Sequence, residues 1–88
     1  MHDLARQILS AFRAKNWTVT TAESCTGGMV AAAITEIPGS SDVFDRGYIT
    51  YSNTAKMEML DVALTTLNDF GAVSEQVAQE MAQAALVA

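Results

Sequence analysis

The chain has 88 residues, half of them apolar, 17 % charged and one a proline, which allows one domain at most and excludes a disordered polar tail. Ten acidic residues against five basic ones leave a net charge of −5, and the scattered Arg6, Arg13, Lys15, Arg46 and Lys56 form no basic stripe, so nucleic-acid binding is not expected. No apolar run approaches the ~18 residues of a membrane span, the N-terminus MHDLARQILSAFRAK does not read as a secretory signal, and a lone Cys25 with a lone His2 excludes a structural zinc site and suits a reducing cytoplasm.

Leu4, Ala5, Ile8, Leu9 and Phe12 recur at helical spacing, which predicts an amphipathic helix over 3–15, with Asp3 at its positive end and Lys15 at its negative end. Trp17 to Ala22 is rich in β-branched residues and predicts a strand over 17–22. A polar loop, Glu23-Ser24-Cys25-Thr26-Gly27-Gly28, then opens a helix from Met29 to Ile34. Strand, glycine loop and helix in that order put free N–H groups and hydroxyls at a helix N-terminus, a ready place for an anion. Pro38 and Gly39 punctuate the turn from Ile37 to Asp42.

The β-formers that end the run VFDRGYITY predict a second strand over 46–51. Ser52 or Asn53 caps the next helix, Asp61 and Val62 break it, and a short helix from Thr65 to Phe70 is closed by Gly71. Ser74 caps a last helix, with Glu75 in its first turn and Val77, Met81, Ala84 and Ala85 on one side. Strands alternating with helices imply an α/β layered fold. Two strands fall short of the four to six of a usual sheet, so the chain reads as part of a larger one.

Few residues offer chemistry. His2, the one imidazole, stands at a chain end, which argues against Ser-His-Asp and Cys-His catalysis. Lys56 follows a strand and lies near candidate nucleophiles. Lysine serves as a base where burial lowers its pKa, and Ser-Lys pairs are a known variant of the triad logic; the plainer reading is a solvated lysine on a short helix. Tyr48 and Tyr51, three apart, fall on opposite faces of a regular strand. Tyr51, at the strand end where α/β sites gather, is the better site candidate, against an ordinary strand aromatic. Cys25 before a helix N-terminus is either an activated thiol or a small buried residue. The pair Gly27-Gly28 matches neither the P-loop nor the dinucleotide pattern, and helix packing explains it equally well. Glu23 and Asp42 have no spacing that pairs them for acid/base work, and Met29, Met57, Met59 and Met81 read as core filler.

Four blocks carry a family resemblance: TAESCTGG over 21–28, PGSS over 38–41, RGYITYSNTAK over 46–56 and GAVS over 71–74. In this order and spacing they resemble the CinA C-terminal domain family, the nicotinamide mononucleotide deamidases also called competence/damage-inducible protein C-terminal domains, from about residue 5 onward. The resemblance implies a three-layer α/β/α sandwich with a mixed sheet. It implies a cytoplasmic amidohydrolase that converts nicotinamide mononucleotide to nicotinate mononucleotide and ammonia in pyridine-nucleotide recycling, with no metal and no cofactor.

By position, the resemblance makes Ser41 the nucleophile, Tyr51 and Lys56 the groups that activate it, and Ser24, Thr26, Gly27 and Gly28 the lining of the nucleotide site. The loop from Gly39 to Ser41 would supply oxyanion donors. Family members run to about twice this length, so residues 1–88 are expected to be the N-terminal half of one such domain, its partner a small nucleotide and its assembly a homo-oligomer. The competing expectation is a catalytically silent nucleotide-binding or oligomerisation module, or an inactive fragment.

Overall fold

The computed structural model describes residues 2–87, with side chains from Asp3 onward. Helix α1 spans His2–Ala14, strand β1 Val19–Glu23, helix α2 Met29–Thr35, a 3-10 turn Ser40–Asp42, strand β2 Phe44–Ile49, and helices α3 Asn53–Leu60, α4 Leu64–Phe70 and α5 Glu75–Val87. The expected element order holds. Both strands start and end away from their expected bounds, β1 at 19–23 instead of 17–22 and β2 at 44–49 instead of 46–51. Trp17 is drawn out of the strand by packing edge-to-face on Phe12, ring centroids 5.5 Å apart, with the Lys15 ammonium over its face.

β1 and β2 pair in parallel, Thr20 with Arg46, Thr21 with Gly47, Ala22 with Tyr48 and Glu23 with Ile49, and α2 makes the crossover that parallel strands require. Gly47 has a physical reason: a Cβ there would come within 2.7 Å of Thr21 Oγ1. Because side chains alternate along a strand, the sheet has two differently covered faces. On one, Val19 packs with Ala5 and Leu9 of α1, Ile34 of α2, and Ile37 and Val43. On the other, Ala22 and Tyr48 pack against Leu60, Val62, Leu67, Val77, Met81 and Ala85 of the last three helices. The layers are α/β/α, as expected; in place of the expected mixed sheet, the described residues form two strands, paired in parallel.

Helix ends follow their local chemistry. Ser52 Oγ accepts from Ala55 N at 3.0 Å and Ser74 Oγ from Val77 N at 3.2 Å, so both expected caps form. α4 lacks a capping side chain of its own. Glu80, on the neighbouring α5, accepts from Ala63 N and from Thr66 Oγ1 in its place. Of the four methionines expected in the core, Met81 is buried and Met57 half-buried, while Met29 and Met59 are exposed.

The described chain is less compact than a finished domain of its mass. It exposes 5779 Å², against ~5,000 Å² for a folded monomer of this size, and its radius of gyration is 13.8 Å against roughly 12 Å. No helix among the described residues is long and apolar enough to cross a membrane.

Candidate active site

The C-terminal end of the sheet is assembled around Glu23, the last residue of β1. Its carboxylate accepts from Thr26 Oγ1 at 2.6 Å, Val30 N at 3.0 Å and Gly28 N at 3.2 Å on Oε1, and from Ala31 N at 2.9 Å on Oε2. Gly27 and Gly28 have φ of 62° and 104°, left-handed values that bring the loop back onto this carboxylate and that glycine adopts without strain. Burial opposes ionisation of Glu23, yet the Thr26 hydroxyl and the three amides outweigh it and hold its pKa below the ordinary range.

This overturns one expectation. The first-turn amides of α2 were to receive a substrate anion, but the chain's own carboxylate takes that place. Thr26 and Gly28 are thereby committed to Glu23. The signal was legible: an acid ending a strand, followed within a few residues by a helix, faces the positive end of that helix.

The same end carries Lys56. It is 2 % exposed, not solvated, and its Nζ donates to Tyr51 O at 3.0 Å; among the described residues no carboxylate pairs with it. Thr50, wholly buried, donates from N to Glu23 O at 2.8 Å and from Oγ1 to the same oxygen at 3.3 Å. That bond pins the two strand ends together, about 4.8 Å apart across the sheet. Ser24 directly follows Glu23 and is half-buried, while Tyr51, whose carbonyl accepts from the Lys56 amine, directly follows Thr50. Tyr51 takes part through its carbonyl. Its side chain is 78 % exposed beyond the end of β2, while Tyr48 packs into the core.

Ser41 lies elsewhere. It sits in the 3-10 turn before β2, so the whole of that strand, six residues and roughly 20 Å at 3.3 Å per residue, separates it from Tyr51 and Lys56. The turn is fixed to the other end of the molecule. Arg13, at the end of α1, donates from Nε to Asp42 Oδ2 and from Nη2 to Asp42 Oδ1, each at 2.9 Å, and to Gly39 O at 2.8 Å. Within one chain the three residues expected to act together are therefore not brought together, because a strand separates its two ends rigidly. Glu23 and Asp42, held by different partners at opposite ends, form no acid/base pair.

A groove of about 760 Å³ runs along the free side of β1. Thr20, Ala22, Ser24 and Cys25 line one wall, and Val77 and Met81 of α5 the other. Cys25 is exposed, not buried. The side chain of His2 lies outside the described residues.

The CinA C-terminal domain family model matches residues 1–88. Over 82 residues the chain is 60 % identical to the nicotinamide-nucleotide amidohydrolase PncC of Enterobacter agglomerans, covering 93 % of this chain and 50 % of that protein. It is 56 % identical over 85 residues to the protein of the same name from Escherichia coli K12, covering 97 % and 52 %. Among solved structures, the competence/damage inducible protein CihA of Agrobacterium tumefaciens superposes with a TM-score of 0.93 at 55 % identity, over 98 % of this chain and 52 % of the other. The chain thus spans about half the length of the relatives it matches.

Proposed function

The chain belongs to the CinA C-terminal domain family, and from that premise we propose that the complete domain hydrolyses the carboxamide of nicotinamide mononucleotide to a carboxylate and ammonia, in cytoplasmic pyridine-nucleotide recycling. The names of its relatives supply the substrate class. The observation that carries the chemistry is the buried Lys56 amine, bonded to Tyr51 O beside the strand end that bears Ser24.

Ser24 replaces Ser41 as the nucleophile in this reading, because only a group at the C-terminal end of the sheet reaches the lysine of its own chain. It stands on a strand-to-helix turn, a placement that exposes a nucleophile at the end of an α/β sheet. Lys56 takes the Ser24 hydroxyl proton as Oγ attacks the carboxamide carbon. The resulting oxyanion is met by loop amides next to Ser24, those of Cys25 and Gly27, which hold no acceptor among the described residues. Lysine returns the proton to the departing nitrogen, ammonia leaves, and the nicotinate mononucleotide remains as an acyl ester on Ser24, its ribosyl phosphate still attached. Water then attacks the ester with Lys56 again as base, giving the carboxylate and free serine. Tyr51 orients the amine through its carbonyl.

The activity is assigned to the complete domain, of which we take residues 1–88 to be one half. Half-length coverage of the relatives, a sheet of two strands and the surface in excess of a compact monomer all support that division. Incubation of the complete protein with nicotinamide mononucleotide, with ammonia release as the readout, tests the reading. Turnover lost in Ser24→Ala and in Lys56→Met supports it; saturable binding without product in the unaltered protein replaces it with a silent nucleotide-binding module.

A further inference from the structure

Glu23 is the most heavily bonded side chain at this end of the sheet, and the proposed reaction gives it no part. We infer that Glu23 is the positioning residue of the site, a clasp that fixes the Ser24 loop against the strand end carrying Lys56. The inference rests on the Ser24 and Lys56 reading above.

Three elements meet on this one residue. Its carboxylate gathers the loop hydroxyl of Thr26 and the amides of Gly28, Val30 and Ala31 at the start of α2. Its main-chain oxygen takes both the N–H and the hydroxyl of buried Thr50. The residue after Thr50, Tyr51, holds Lys56 through its carbonyl. The path from the nucleophile to its base is therefore Ser24, Glu23, Thr50, Tyr51, Lys56, with each step a peptide bond or a hydrogen bond.

The clasp is aimed at geometry, not at substrate. Glu23 is 4 % exposed, and three donors converge on its Oε1 with a fourth on Oε2, so its carboxylate is taken up in holding the loop. Its charge is balanced by neutral donors at the head of α2; among the described residues it has no cationic partner. Loosening these bonds shifts Ser24 relative to Lys56, and a misplacement of about 1 Å costs on the order of 100-fold in rate.

The test is steady-state kinetics of the complete protein on nicotinamide mononucleotide, corrected for folded fraction by circular dichroism. In Glu23→Gln an amide N–H faces a backbone donor, so kcat should fall on the order of 100-fold with KM unchanged. Thr26→Val, on the exposed loop and harmless to the core, should lower kcat by a smaller factor with KM unchanged, and Thr26→Ser should restore it. Wild-type kcat in Glu23→Gln, a raised KM with kcat kept, or failure of Thr26→Ser to restore what Thr26→Val loses would each overturn the clasp. Ser24→Ala separates the two claims. If it still turns over, the catalytic reading falls and the clasp with it; if it is inactive while Glu23→Gln and Thr26→Val keep full kcat, the clasp alone falls.

Discussion

The two ends of the sheet use one device, a carboxylate that ties its own segment to a neighbouring helix, in opposite surroundings. At the N-terminal end Asp42 binds Arg13 through two hydrogen bonds, with side chains 60 % and 46 % exposed. At the C-terminal end Glu23 is 4 % exposed and is met by one hydroxyl and three amides. Water competes for the first cluster and salt screens it. The Glu23 carboxylate is far less open to both, and a bond lost there leaves a buried polar group unmatched. The exposed cluster ties α1 to a turn; the buried one, in the proposed reading, sets the spacing of Ser24 and Lys56, at the strand end where α/β sheets carry their sites.

Activity should divide the ends most sharply. Ser24→Ala should lose on the order of 10⁴-fold or more in kcat, and Lys56→Met about 10²- to 10⁴-fold, in an ammonia-release assay. Ser41→Ala should stay near the unaltered rate. A dead Ser41→Ala beside an active Ser24→Ala would reverse the assignment of the two ends.

Stability is the next discriminator. Glu23→Gln should cost about 2–3 kcal/mol in denaturant unfolding, the scale of a buried charged hydrogen-bond network. The sign with pH follows from the depressed pKa of Glu23. Its contribution is full above the unfolded value near ~4.3 and is lost as pH falls through the lower, folded value. The unaltered protein should therefore lose stability below about pH 4.3, and Glu23→Gln should flatten that acid limb.

The smallest effect belongs to the exposed end. The Arg13 hydrogen bond lowers the pKa of Asp42 as well, but screening discounts it. Arg13→Ala should shift Tm only slightly at low salt and not at all at high salt. A large, salt-independent loss would show that the two ends are less different than their exposure indicates.

The sequence carried the element order, the caps at Ser52 and Ser74 and both apolar faces, because these depend on local spacing and on single side chains. Strand bounds shifted where a tertiary contact intervened, as when Trp17 left the strand to pack on Phe12. The site was legible in its residue types, a lysine, serines and a glycine loop. Its arrangement was not, because sequence proximity does not report which end of a strand a residue occupies. Ser41 and Lys56 are 15 residues apart and a full strand separates them; Ser24 and Lys56 are 32 apart, yet Ser24 directly follows Glu23 and the Lys56 amine donates to the residue after Thr50. The partners of Glu23 are mostly backbone amides, which leave no pattern of side-chain types, so only its place between a strand and a helix marks it.

The central claim is that the nucleophile lies at the Glu23 end of the sheet, and the covalent intermediate reports it directly. The complete protein, quenched in acid during turnover of nicotinamide mononucleotide and digested, should carry the nicotinate mononucleotide acyl group, ribosyl phosphate included, as an ester on the peptide containing Ser24, by mass spectrometry. An ester on the peptide containing Ser41 would contradict the account.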